Sequence, residues 1–421
     1  MVLEIGEINK YNKAQAYPSV DITFIGNKRS LVDRVSGNAA QFTRNTIGTY
    51  VGADGLIKTA AAGELRYTYD PLTGEELGLL VEENRTNFIT RSEELDDTGS
   101  TGWIPHSSSV FPNAILSPDG NTTADKLVES NLTSEHYIRT SSTASVVSGN
   151  KYTISIFAKP AERSILRIAA TTSTLPGSVT FDLINQTFSE NGAIGHPVQV
   201  LPNGWYRCSA TFTASASSTT FSYFYLSGFY AGDGTSGMYL WGAQFETGSF
   251  PTSYIPTSGS TETRAADEAS ITGTNFSSWY NQSEGTVFAN AICNGLSISN
   301  VSFVGHLSDG TTNNYIDVFR YQPTGFSLVV VGGAVQSGLI SSVTRGSYHK
   351  SALAYKTNDF SLSVDGASVT TDNSGSLPSQ SISILTLGND SSNVRALNGH
   401  ISRLTYYPKR LPDIELQQLT K

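Results

Sequence analysis

The chain has 421 residues, a formal net charge of −9 at pH 7, 15% charged residues, and 4 Trp, 20 Tyr and 19 Phe. So many aromatic residues with so little charge exclude a disordered chain, and the lack of a basic block argues against phosphate-driven nucleic-acid binding. No apolar run approaches the ~18 residues of a membrane span.

The opening residues, Met1 to Lys10, are acidic and mixed, whereas a secretory leader needs a basic start and ~7–15 apolar residues. This reads as a chain not exported by that route. Residues 21–90 carry short strand-like pieces between turn signals, Gly52-Ala53-Asp54-Gly55 and Asp70-Pro71-Leu72-Thr73-Gly74. The expectation for 1–90 is an irregular β region without a large core of its own.

Residues 91–257 alternate most clearly. Tyr152, Ile154 and Ile156 share one strand face, and Val179, Phe181 and Leu183 another. Tyr206, Cys208, Ala210 and Phe212 oppose Arg207, Ser209 and Thr211. From Met238 to Phe245, the pattern puts Tyr239, Trp241, Ala243 and Phe245 on one face. Such strands predict a two-sheet jelly-roll sandwich. The polar, Pro-marked stretch Pro251–Arg264 reads as a linker. Residues 265–421 resume strands, among them Phe360-Ser361-Leu362-Ser363-Val364 before the Asp365-Gly366 turn. They close on a short helix over Leu411–Leu419, with Pro412 in its first turn and Asp413 and Glu415 at the positive end of its dipole. The predicted class is therefore all-β.

Catalytic patterns are absent from this reading. Glycoside hydrolysis needs two carboxylates across a sugar bond, but Glu75-Glu76 and Glu82-Glu83 are sequence neighbours that point apart on a strand. Tyr315-Ile316-Asp317-Val318-Phe319-Arg320 holds only one acid. No Gly-x-Ser-x-Gly and no His-Glu-x-x-His occur, so no enzyme is expected. Most of the six scattered histidines read as surface or loop residues. Cys208 and Cys293 read as buried free thiols. Asp-Gly pairs at Asp119, Asp233, Asp309 and Asp365 read as turns, each able to supply oxygens to a structural calcium. No other cofactor is implied.

Sugar binding asks only for exposed aromatic faces with orienting polar groups. In Phe221–Tyr230, a strand places Phe221, Tyr223 and Tyr225 on one face and Phe224 and Leu226 on the other. One set faces outward, toward another layer, another chain or a ligand, unless both are core. Trp205 and Trp241 read as core, whereas Trp103 and Trp279 sit in polar surroundings and read as exposed. The candidate glycan-binding residues are Trp103, Tyr223, Tyr225, Tyr230 and Trp279.

Three stretches carry a resemblance. Residues 40–95, with Gly78-Leu79-Leu80-Val81-Glu82-Glu83-Asn84-Arg85-Thr86-Asn87, resemble a segment widespread in bacteriophage virion and tail-fibre proteins. Asn203-Gly204-Trp205-Tyr206-Arg207, Trp241-Gly242-Ala243-Gln244-Phe245-Glu246 and Gly248–Thr257 resemble a carbohydrate-binding-module-like jelly roll. Leu397–Tyr407, with the strands before it and the helix after it, is similar to concanavalin-like, laminin-G-type lectin domains.

The resemblance implies a virion attachment or oligomerisation region at 1–90, a jelly roll at 91–257 and a concanavalin-like sandwich at 265–421. It implies a tail or head fibre that adsorbs to host-surface polysaccharide or lipopolysaccharide, beside other virion proteins and as a homotrimer. Such a chain is made in the host cytoplasm and released by lysis, without nucleic-acid binding or membrane insertion. A purely structural fibre or decoration protein, or a capsule depolymerase, are the rival readings.

Overall fold

A computed structural model describes residues 17–27, 29–100, 102–297, 299–321 and 325–421. Met1–Lys10 and Thr101 lie outside the described residues. The structure is all-β, built of antiparallel sheets. Among the described residues, no helix is long and apolar enough to cross a membrane. The chain forms two compact units: one joins the chain up to Phe42 with Glu268–Lys421, and the other runs Thr43–Asp267.

The Thr43–Asp267 unit is a sandwich of two sheets. The outer sheet has the order Thr187–Asn191, Ser178–Asp182, Ile165–Ala170, Ser222–Ala231, Thr133–Thr140, Trp103–His106. The inner sheet has the order Ile194–Gly195, Tyr206–Thr213, Lys151–Pro160, Gly237–Thr247, Ala124–Glu129, Ser108–Ile115. Alternation dictates what lies between them. Ile138, Leu166, Ile168, Val179, Phe181, Phe224 and Leu226 from the outer sheet meet Ile154, Ile156, Cys208, Ala210, Phe212 and Leu240 from the inner one. Both cysteines are buried free thiols.

The inner sheet is apolar on its second face as well. There Phe157, Trp205 and Trp241 pack with Ile57, Ala124, Leu201 and Tyr254. The single-face reading of Tyr239, Trp241, Ala243 and Phe245 is therefore corrected. Ala243 and Phe245 lie in the core between the sheets, while Trp241 and Tyr239 pack on the other side. The cause is a bulge: the register with Lys151–Pro160 slips between Ser155 and Phe157. Gly242 sits there at φ 63, a left-handed conformation that glycine adopts without a Cβ penalty.

Beside this second face lies a buried ionic cluster. Arg44 Nη1 donates to Asp267 Oδ1 at 3.1 Å, and Arg66 donates to Asp267 and, at 2.7 Å, to Glu82 Oε2. Arg264 Nη1 lies 3.5 Å from Glu82 Oε2. Burial alone would raise the Glu82 carboxyl, but Arg264 and Arg66 and the Ser253 hydrogen bonds hold it well below the usual carboxylate range. Asn87 Nδ2 donates to the carbonyls of Ala243 and Ile255 at 3.1 and 2.9 Å. The phrase Glu82–Asn87 is thus largely interior, with only Asn84 exposed.

In the other unit, one sheet runs Thr370–Asp372, Asp359–Val364, Tyr348–Lys356, Glu284–Cys293, Gly399–Tyr407, and Val20–Thr23 also pairs with Gly399–Tyr407. A second runs Glu268–Thr272, Ile384–Leu387, Ser302–Ser308, Tyr315–Tyr321, Gly325–Val331, Ala334–Ser341. Tyr321 Oη ties the two by donating to the Ala291 carbonyl at 3.2 Å. The helix Asp413–Leu419 covers Phe288, Ala352 and Ala354 with Leu416.

The 1–90 region does not stand alone. Its short strands lack a core, so Val20–Thr23 completes one unit's sheet while Ile57 packs on Phe157, Trp205 and Trp241 in the other. The histidine reading is also corrected, since His136, His306, His349 and His400 are buried. His306 Nδ1 lies 3.0 Å from Asp317 Oδ1, and His136 Nδ1 lies 2.6 Å from the Ser107 carbonyl, so polar partners accompany the burial.

Candidate functional site: an aromatic sheet face and an acidic cavity

Strand register assembles the first candidate site. On the outer face of the outer sheet, one cross-strand row reads His106, Tyr137, Tyr225, Arg167, Thr180, Ser189. The next reads Ile104, Arg139, Tyr223, Ala169, Ser178. The opposite faces of these strands are core, so alternation forces these side chains outward. Phe221, Tyr137, Tyr223 and Tyr225 are half-buried, by one another.

The rings stand against each other and against cations. Tyr137 lies 4.7 Å from Tyr225 and 5.6 Å from Tyr223, and His106 stacks on Tyr137 at 4.6 Å with planes 15° apart. Arg167 sits 3.8 Å over Tyr225, and Arg139 sits 4.3 Å over Phe221. Arg167 donates to Glu135 Oε1 at 2.7 Å. Arg139 donates to the Thr140 carbonyl at 2.9 Å and has no carboxylate partner among the described residues. The Tyr137, Tyr223 and Tyr225 hydroxyls have no hydrogen-bond partner among the described residues. Burial pushes Tyr225 up to about 12 and raises Tyr137, so both remain protonated donors at neutral pH.

The second candidate is a cavity of about 780 Å³ in the same unit. Glu93, Glu94, Asp96, Asp125 and Glu262 line it, with Arg264 as the cation. Asp125 accepts from the backbone amides of Leu95 and Asn113 at 2.9 and 2.8 Å. Burial nevertheless pushes its carboxyl up to about 6. Burial also raises Glu93, which accepts from Tyr254 Oη at 2.8 Å. A carboxyl raised to about 6, as Asp125 is, takes up its proton just below neutral pH and can then donate to a ligand oxygen.

Of the five residues singled out in the sequence, the structure brings Tyr223 and Tyr225 together and separates the rest. Trp103 and Trp279 are buried, not exposed. Trp103 donates its indole N–H to the Arg91 carbonyl at 2.8 Å and packs on Phe224. Trp279 is enclosed by Phe276, Tyr280 and Tyr406 at 4.6, 6.1 and 4.8 Å. Neither can stack on a ligand where it lies. Polar sequence neighbours misled because burial is decided by distant partners. Tyr230 is half-buried, and its hydroxyl is committed to Glu129 Oε2 at 2.5 Å.

Sequence reasoning missed Tyr137, Arg139 and Arg167. Their signal was present, since Glu135, Tyr137 and Arg139 alternate with the buried His136 and Ile138. Asp119, Asp233 and Asp309 hold their own turns: Asp233, for example, accepts from the Thr235 and Ser236 amides at 2.8 and 2.7 Å, whereas Asp365 accepts from the Lys350 amide at 2.9 Å. Among the described residues, no group of three or more His, Cys, Asp or Glu is placed to hold a metal ion.

No family model and no curated protein matches this chain. Among solved structures, a Trypanosoma rangeli sialidase in complex with the inhibitor DANA is similar at 10% identity and TM-score 0.28, over 70% of this chain and 60% of that one. Mouse laminin α1 domains LG4-5 are similar at 11% identity and TM-score 0.21, over 63% and 84%. The CBM22 tandem of Paenibacillus barcinonensis Xyn10C is similar at 10% and 0.24, over 76% and 96%. At these scores the likenesses assign no activity. The expectation of no enzyme is nonetheless corrected: sialidases are among the structures matched, a likeness at fold level only. Its argument was also too narrow: it sought paired acids along one strand, whereas the fold gathers Glu93, Asp125 and Glu262 from separate segments around one cavity.

Proposed function

We propose that this chain binds glycans through the outer sheet face of Tyr137, Tyr223 and Tyr225, as an adsorption protein of a bacteriophage particle. The observation that carries the binding is that face: clustered aromatic rings with three open hydroxyls and two arginines on a rigid sheet. Such a surface gives polyhydroxylated ligands apolar area and hydrogen bonds together. The virion role is supported by the resemblance of residues 40–95 to tail-fibre segments. On this reading, other virion proteins are its neighbours, host polysaccharide or lipopolysaccharide its target, and a homotrimer its working form, with avidity across copies offsetting weak single sites.

The test is retention of the full chain on immobilised host polysaccharide. Wild type is retained, and the Tyr137→Ala/Tyr223→Ala/Tyr225→Ala variant is not. Retention of neither, or of both equally, overturns the reading. Labelling intact particles with an antibody to this chain tests the location.

A second reading, cleavage of glycan at the acidic cavity, is favoured by a cavity that Asp125, raised to about 6, lines together with the raised Glu93. Release of reducing ends by wild type but not by Asp125→Asn would establish it, and no release from any host polysaccharide would remove it.

A further inference from the structure

The aromatic face carries a cation without a carboxylate partner among the described residues, and this bears on what kind of glycan it takes. The flat sides of its rings are partly occupied already: Arg139 covers Phe221, Arg167 covers Tyr225, and His106 covers Tyr137. What remains open are the tips. The hydroxyls of Tyr137, Tyr223 and Tyr225 have no partner among the described residues. Arg139 uses one of its five N–H groups on the Thr140 carbonyl.

The charges on this face are unequal. Arg167 is neutralised by Glu135 at 2.7 Å, whereas Arg139 faces no carboxylate among the described residues. An uncompensated guanidinium, on a chain whose net charge is −9, stands with phenol hydroxyls that have no partners of their own among the described residues. Guanidinium forks match planar or tetrahedral anions better than single hydroxyls.

We infer that the ligand of this face is an anionic glycan, one bearing carboxylate or sulfate groups, with Arg139 reading the acidic group and the three tyrosine hydroxyls reading its neighbours. This rests on the glycan-binding function proposed above and narrows it. Same-face neighbours lie ~7 Å apart along a strand and ~5 Å across strands, so the tyrosines span a short run of sugar units around one charge. A nucleic-acid strand fits less well, because polyphosphate recognition draws on many cations and this face offers one that is unpaired.

The experiment compares hyaluronate, alginate and polygalacturonate, each beside its carboxyl-reduced form, as ligands for the full chain in a titration series. A heparin sample supplies sulfate, and a dT oligonucleotide supplies polyphosphate. At least one acidic polymer is expected to bind about tenfold tighter than its reduced form, the scale of one charge-assisted hydrogen-bonded pair. Arg139→Gln should weaken the acidic polymer several-fold more than its reduced form and so erase most of that difference, and Arg139→Lys should keep part of it. An unchanged melting temperature for Arg139→Gln confirms an intact fold.

Equal binding of acidic and reduced forms, or equal weakening of both by Arg139→Gln, overturns the anionic assignment and leaves glycan binding standing. Binding of the oligonucleotide as tightly as the best glycan also overturns it. Binding of none of these polymers, nor of host polysaccharide, overturns both readings.

Discussion

Asp267→Ala removes the anion at the centre of a closed ionic cluster. The Asp267 side chain is fully buried, and it accepts from Arg44, Arg66 and the Glu82 amide, the last at 2.9 Å. Arg264 lies 3.9 Å away. In the native cluster three guanidiniums face two carboxylates, Glu82 and Asp267. In the variant, three face one.

Leaving a buried charge unpaired costs ~3–5 kcal/mol, a large part of the ~5–15 kcal/mol that holds a typical domain. With urea slopes of ~1–3 kcal/mol/M, the midpoint should fall by about 1–5 M. Three of the four tryptophans, Trp103, Trp205 and Trp241, lie in the Thr43–Asp267 unit, so tryptophan fluorescence in urea reports mainly on it. Adding Arg44→Met to Asp267→Ala should recover part of the loss by removing one of the stranded cations. If Asp267→Ala shifts the midpoint no more than Asp54→Ala, which breaks the surface pair with Lys58 at 2.7 Å, the cluster does not hold this unit together and the reasoning fails.

Other consequences follow from single groups. Gly242→Ala puts a Cβ 2.8 Å from Phe157 Cδ2 at φ 63, so strain and overpacking together should cost about 2–5 kcal/mol, read as a lowered urea midpoint. Glu82 is depressed in the folded state, so its stabilisation is present above the ordinary carboxylate range and is lost as pH falls through its folded value. Glu82→Gln should therefore flatten the acid limb of the stability curve. Asp125 is raised to about 6, so its contribution is fully present below the ordinary value of ~3.9 and is lost as pH rises through about 6. Proton-uptake titration of wild type against Asp125→Asn should differ by one group in that window. A difference confined to pH 3–4 would mean the carboxyl is not perturbed.

Much of the architecture could be read from alternation, and the failures have physical causes. Tyr206 to Phe212 and Phe221 to Leu226 sort onto the faces their period assigns, because those strands run without interruption and one face of each is core. Met238 to Phe245 does not, because one glycine in a left-handed conformation inserts a bulge and inverts the parity beyond it. Local polarity did not foretell Trp103 or Trp279, since their enclosing rings come from elsewhere in the fold. The paired aromatic face was half visible: Tyr223 and Tyr225 stood out by density, while Tyr137 and the arginines needed strand register to join them. The acidic cavity had no sequence signal, because its residues come from segments between Thr46 and Arg264 that no spacing relates.

Val20–Thr23 has a consequence for how the molecule is made. Its partner strand is Gly399–Tyr407, and Arg403 grips Asp21 across a separation of 382 positions. A ribosome releases the first of these strands long before the second exists. Until then the early strand has an unmatched edge, while the Thr43–Asp267 unit is one continuous stretch of chain, made in full well before that partner. The discontinuous unit therefore closes last, and a nascent chain stalled between Asp267 and Gly399 carries the continuous unit complete and the other without its closing strand.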